Sequence, residues 1–288
     1  MRLFYTTFMR ARNLSEIIFW AALVLLLIIF SVVKTIGPAG SKSAKGNKNY
    51  HKVIRQAYQH LDNGRPDRAL KEFHRAVKLS NRKTDTYLTA FYTFTADGSR
   101  SIPYAIDVAK EIIELNDARQ LDRVLKKKEL AVLLGQYGGL CYSAGRNQEG
   151  IDALERAVSL WPDNPWLAND LGYFYAENDI HLKKALKLTK QAVKAEPHNA
   201  MYIDSLGWVY YKLGRYKEAV DELERAVRLS RNDPELRYHL GEAYVKLGKN
   251  ARACIELDKT LLLSPSHTNA KALNNKLKAV SRHKPRNL

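Results

Sequence analysis

A set of residues returns every 34 positions near the C-terminal end of the chain. Leu206, Gly207, Tyr210, Gly214, Ala219, Leu223 and Ala226 reappear as Leu240, Gly241, Tyr244, Gly248, Ala253, Leu257 and Thr260. Upstream, Leu171, Gly172, Tyr175, Ala185 and Ala192 carry the same theme, with one extra residue in the turn near Ile180. A fixed period of this length constrains the fold more than any composition does. One supersecondary unit is repeated, and it must stack on its neighbours because a lone copy cannot bury its apolar face.

The physics of one unit is legible residue by residue. Over residues 200–211 apolar side chains recur at three- and four-residue spacing, which gives a helix one apolar stripe. Gly207 and Ala219 are small enough to let paired helices come close. Gly214 suits the positive φ that ends a helix, and residues 216–229 form the second helix. Asn232, Asp233 and Pro234 stop it and start the next unit.

This set resembles the tetratricopeptide repeat (TPR) family, and the resemblance covers nearly everything after residue 50. It implies an all-α chain, a right-handed superhelical solenoid of antiparallel helix pairs. It further implies that first helices line an inner groove that holds a peptide or partner helix. Carried over by repeat register, the protein-binding residues are Tyr142, Trp166, Asn169, Tyr173, Asp204, Trp208, Tyr211, Lys212, Tyr238, Glu242 and Lys246. Large aromatics beside mixed charges are suitable interface anchors, although internal packing is an alternative role for Trp208. Chaperone-binding members of the family clamp a terminal carboxylate with paired lysines and asparagines. This chain has Asn169 and Lys212 without the full arrangement, so chaperone-tail binding is not expected.

The remaining units follow the period less closely. Residues 50–83 keep Gly64, Ala69, Phe73 and Ala76, while Ala57 and His60 replace the usual glycine and tyrosine. Residues 84–116 have an aromatic first helix with Tyr87, Phe91, Tyr92 and Phe94, and Pro103 opens the second. Residues 117–130 lie outside the period and read as an extension of the next helix. Arg119, Arg123, Lys126, Lys127 and Lys128 make a basic cluster there, either a solvated face or a functional patch. Residues 131–164 form the third unit, with adjacent Gly138 and Gly139 and with Gly150 in place of alanine; each mid-helix glycine costs about 1 kcal/mol relative to alanine. Units four to six occupy residues 165–199, 200–233 and 234–267. A final helix over 268–280 caps the array, and residues 281–288 form a polar basic tail.

The N-terminal end is different in kind. Residues 17–33 are apolar or small and carry no charge. A stretch of about 20 residues at 1.5 Å rise crosses most of a bilayer core. Phe19 and Trp20 sit where interfacial aromatics are common, and Lys34 can snorkel so that the span extends to residue 36. The context at residues 38–41 is poor for signal cleavage, so residues 1–36 read as a short tail and a retained membrane helix. Residues 37–49 read as a flexible linker and 50–280 as the solenoid. The expected location is a bacterial inner membrane, single-pass, with the soluble domain periplasmic. The lysines after the span argue for the opposite, cytoplasmic orientation.

Lys and Arg number 47 against 30 Asp and Glu, for a net charge of +17. Such an excess favours acidic polymers or lipid, or else simply solvates a helical surface. No zinc finger, RNA-binding aromatic pair or helix-turn-helix pattern accompanies it, so nucleic acid is not the expected partner. Cys141 and Cys254 lie in helical patterns and indicate neither a disulfide framework nor a metal site. No phosphate loop, nucleophile elbow or zinc helix is present. The chain reads as a non-enzyme without cofactor or metal. It is expected to be a membrane-tethered scaffold that binds protein subunits of a membrane complex and contacts lipid through residues 17–36. Two alternatives remain: an accessory subunit of an envelope-biogenesis enzyme, and a binder of acidic polymer or lipid.

Overall fold

A computed structural model describes residues 48–282. The expected membrane span at residues 17–36, most of the expected linker and the tail from 283 lie outside the described residues. Among the described residues the chain is helical and has no strand. No described helix is long and apolar enough to cross a membrane.

The chain divides into two compact units, the first ending at Trp161 and the second beginning at Pro162. The first holds α1 (Lys48–Asp62), α2 (Pro66–Leu79), α3 (Lys83–Ala96), a 3-10 turn (Ser99–Ser101), α4 (Ile102–Asp117), α5 (Lys127–Ser143) and α6 (Asn147–Leu160). The second holds α7 (Pro165–Glu177), α8 (Leu182–Ala195), α9 (Ala200–Lys212), α10 (Tyr216–Leu229), α11 (Pro234–Lys246), α12 (Asn250–Leu263) and α13 (Thr268–Arg282). Helices pair as α1/α2, α3/α4, α5/α6, α7/α8, α9/α10 and α11/α12, and α13 packs on α12. Helix α1 begins at Lys48, inside the stretch read as linker.

Local chemistry sets the helix boundaries. Asn164 caps α7 by accepting the Leu167 N–H at 3.0 Å, and Asn199 caps α9 by accepting from Met201 at 3.1 Å. Asp233 caps α11 by accepting from Glu235 at 2.9 Å, and Pro165 and Pro234 fill first-turn positions that need no N–H. At the other end of α9, Gly214 takes φ +73, its N–H donates to Tyr211 O, and Arg215 N–H donates to Tyr210 O. This is the left-handed Schellman closure. The extra residue near Ile180 changes its chemistry. Asp179 takes the left-handed place at φ +53, Ile180 N–H donates to Tyr175 O, and His181 is left-handed as well at φ +48.

In the first unit Phe73, Phe91 and Phe94 are fully buried, so the aromatics of residues 84–116 serve mainly the core. Residues 117–130 differ from the expected extended helix. Helix α4 closes at Asp117 with Arg119 in the left-handed region, and α5 starts only at Lys127. Side chains hold the intervening strap. Thr84 N–H and Oγ1–H both donate to Asp122 Oδ1 at 2.7 Å, and Asn116 Oδ1 accepts the Leu125 N–H at 2.7 Å. Two bonds from backbone N–H groups and one from a hydroxyl, all to carboxylate or amide oxygens, outweigh the helical propensity of a basic segment.

In the second unit Leu206, Tyr210, Leu223, Leu240, Tyr244 and Leu257 form one continuous apolar cluster that reaches Ala270 and Leu277 of α13. A Cβ on Gly207 would lie 2.7 Å from Leu223 Cγ, and one on Gly241 would lie 3.1 Å from Leu257. The two glycines therefore mark close approaches of the first helix to the second.

Candidate protein-binding face

The first helices of the second unit, α7, α9 and α11, bring polar and aromatic side chains together across the repeat boundaries. Trp208 of α9 is at the centre. Its ring stacks on Tyr211 one turn away, with centroids 4.6 Å apart and planes 5° apart. It also stacks on His239 of α11 at 4.4 Å. The Trp208 indole N–H donates to Glu177 Oε1 of α7 at 2.5 Å, and Lys212 Nζ lies 5.5 Å over the same ring. One side chain thus joins three successive first helices. It is only 7% exposed.

Beneath it, His239 Nδ1 lies 3.0 Å from both carboxylate oxygens of Asp204. Burial alone would push this imidazole down, but the attraction of Asp204 outweighs it and holds the pKa at about 9. His239 is therefore a buried cation at neutral pH, neutralised by Asp204. At the outer end of α9, Lys212 Nζ pairs with Asp179 Oδ2 at 3.2 Å. Toward α13, the Tyr238 ring lies 4.6 Å from that of His267.

Not every group on this face is satisfied. Asn169 is 7% exposed, and its Oδ1 has no hydrogen-bond partner among the described residues. Its amide donates instead to Asp170 Oδ1 at 3.1 Å. Burial raises the Asp170 carboxyl to about 6 despite that bond and one from Trp166. Burial also raises Glu242, against the lowering effects of Tyr238 and His239. Tyr211 is pushed up to about 12 by burial and by the nearby Glu242. The face therefore holds a bare buried acceptor and two carboxylates short of compensation.

Of the residues expected from register, Trp166, Asn169, Tyr173, Asp204, Trp208, Tyr211, Lys212, Tyr238 and Glu242 all lie on α7, α9 and α11. Trp166, Tyr173, Tyr211, Tyr238 and Glu242 are half-buried, while Lys246 is exposed in the last turn of α11. Tyr142 lies at the end of α5, in the other compact unit. In the basic cluster Arg123 pairs with Glu129 at 2.8 Å and approaches Asp85 at 3.8 Å. Lys128 sits 4.6 Å over the Trp161 ring, and Arg119, Lys126 and Lys127 are exposed.

Register analysis missed His239, Asp170 and Glu177. His239 follows Ser205 by 34 residues, and Asp170 precedes it by 35. An ionisable residue on both sides of a serine in one column was the available sign. The pairing of Asp204 with a residue 35 positions later is visible only once the helices are side by side. Among the described residues no group of three or more His, Cys, Asp or Glu side chains could hold a metal.

Residues 207–248 match the family model for the TPR repeat, and residues 234–267 match that for the tetratricopeptide repeat. Residues 207–267 are thus tetratricopeptide repeats. A TPR repeat-containing protein of Pseudomonas aeruginosa is 33% identical over 75 residues, which is 26% of this chain and 13% of that relative. The chain thus matches about an eighth of the relative's length. Among solved structures, a tetratricopeptide repeat protein from Parabacteroides merdae covers 82% of this chain and 88% of its own, with TM-score 0.64 at 14% identity. YrrB, described as a TPR protein with an unusual peptide-binding site, covers 70% and 97%, with TM-score 0.50 at 17% identity. These likenesses concern the fold. TPR repeats generally mediate protein–protein interaction.

Proposed function

We propose that this protein is a membrane-tethered, non-catalytic scaffold that holds a protein partner on the face formed by α7, α9 and α11. The observation that carries the reading is the incompletely satisfied chemistry of that face. A buried carbonyl oxygen without a donor costs about 1–3 kcal/mol, and Asn169 Oδ1 is in that condition beside a desolvated Asp170. A peptide N–H or a cationic side chain would relieve both, and the half-buried rings of Trp166 and Tyr173 give it apolar area to cover. YrrB is described as having a peptide-binding site, which is consistent with this use of the fold. In the same reading the repeats continue as a right-handed superhelix, and the uncharged run at 17–33 anchors the chain in a bacterial inner membrane, with the repeats on the periplasmic side.

Gentle detergent purification of the full chain, with mass spectrometry of what is retained, identifies the partner. Affinity for that partner then tests the face. Asn169→Ala removes the bare acceptor and, with it, the amide donor to Asp170 Oδ1 at 3.1 Å. The two changes oppose each other in stability, which should shift by no more than about 1 kcal/mol, while binding should weaken about tenfold. Glu222→Ala with Arg228→Ala on α10 is the outward control and should leave binding unchanged. Equal affinity of wild type and Asn169→Ala would remove the face from the proposal. Alkaline carbonate washing separately tests the anchor, and release of the full chain into the wash would remove that part.

A further inference from the structure

We propose that the outer face of α8 is a docking surface for an anionic lipid bilayer. Lys183, Lys187, Lys190 and Lys194 follow one another at spacings of four, three and four residues, so they form a single row along one side of the helix, about 16 Å long. Lys184 flanks the row, and all five are exposed. Helix α8 contains no acidic residue, and none of the five lysines forms a salt bridge with a carboxylate among the described residues. The one polar contact of the row is Lys190 Nζ, 5.7 Å over the Tyr210 ring.

Solvation of a second helix does not require this pattern. The equivalent positions 34 residues later in α10 are Lys217, Asp221, Glu224 and Arg228, and a further 34 later in α12 they are Ala251, Ile255, Asp258 and Leu262. Arg228 and Glu224 pair with each other at 3.6 Å. Of these three helices only α8 presents a row of one sign. Helix α2 also carries one, Arg68, Lys71, Arg75 and Lys78, but it mixes arginine with lysine. There Arg75 pairs with Glu72 at 3.6 Å, and the helix contains acidic residues, which α8 does not. Every cation in the α8 row is lysine, a compact point charge without the planar fork that arginine offers to individual phosphates. A straight row of such charges suits a diffuse, flat negative surface better than a grooved nucleic acid. The choice of a bilayer over a soluble acidic protein rests on the tethered reading, because an anchor would hold α8 near lipid.

The test uses the full chain in nanodiscs of phosphatidylcholine, or of equal parts phosphatidylcholine and phosphatidylglycerol. Acylation of each lysine by a soluble reagent is followed by mass spectrometry. Lys183, Lys187, Lys190 and Lys194 should react at least about fivefold more slowly in the anionic discs, and high salt should abolish the difference. Exposed Lys217 on α10 should react equally in both. Replacing the four lysines of the row with glutamine, which keeps helix propensity, should remove the salt-sensitive protection of flanking Lys184. Equal reactivity of the row in both lipids would overturn the proposal. Equal protection by soluble polyglutamate in phosphatidylcholine discs would assign the face to an acidic protein instead. Loss of the anchor reading looks different, because the chain would then leave both disc types on washing. Phosphatidylglycerol vesicles added to the freed full chain would still have to protect the row.

Discussion

In the hairpin α5/α6 two glycines face each other, whereas in α9/α10 a glycine faces a leucine. A Cβ on Gly138 would lie 2.9 Å from Gly150 O, and one on Gly150 would lie 2.7 Å from Gly138 O. The obstacle on each side is main chain. At Gly207 the nearest obstacle is the Leu223 side chain at 2.7 Å, and at Gly241 it is Leu257 at 3.1 Å. The polar groups are arranged differently too. In α5/α6 the Tyr137 hydroxyl donates to Glu149 within the same hairpin, and Glu149 also accepts from Arg146 at 2.7 Å. In α9/α10 the polar groups leave the hairpin for its neighbours, through Trp208 to Glu177 and through Asp204 to His239. The same repeat can thus turn its polar chemistry inward, locking one hairpin, or sideways, joining successive hairpins into a face. Only the second arrangement produces the candidate binding surface.

The comparison breaks most sharply at Gly150. Gly150→Leu should destabilise by about 3 kcal/mol or more, because a backbone carbonyl cannot move aside as a side chain can. Hydrogen exchange should localise the lost protection to α5 and α6. A full set of protected amides there would mean that the helices separate without cost.

Asp204→Ala should cost about 2–3 kcal/mol, since it leaves His239 buried without its counter-ion. The loss should show as a lower urea midpoint and as exchange in α9 and α11 together, unlike the single-hairpin effect at Gly150. The pair also predicts a pH dependence. The His239 pKa is raised to about 9 from 6.5, so its stabilisation is full below pH 6.5 and is lost as pH rises through 9. The wild type should lose stability between pH 6.5 and 9, and Asp204→Ala should lose less over that window. Parallel pH curves would show that the ion pair contributes nothing.

The smallest effect is expected at Gly241. Gly241→Ala gains about 1 kcal/mol of helix propensity and asks Leu257 to move a few tenths of an ångström. The net change should stay within about 1 kcal/mol of zero. The same substitution at Gly207, with Leu223 Cγ at 2.7 Å, should be worse by roughly 1 kcal/mol in thermal or urea unfolding. Equal midpoints for the two alanine variants would erase the distinction between the two close approaches.

The sequence by itself determined the repeat. The 34-residue period, the Asn and Asp caps at 164, 199 and 233, and the left-handed glycines at 214 and 248 act through bonds within about one helical turn. Such local chemistry can be read without knowing what lies across the fold, so the hairpins and their turns were visible in advance. The strap at 117–130 escaped because Asp122 is held by Thr84, 38 residues away. Tertiary structure decided the face. Register could put Trp208, Asp204 and Tyr238 on first helices, but it could not show that His239 closes over Asp204, or that this stack leaves Trp208 only 7% exposed. Burial and charge at those positions depend on side chains from neighbouring helices, and desolvation is a property of the assembled site. A groove residue and a packing residue can therefore occupy the same place in the repeat, and only the adjoining helix distinguishes them.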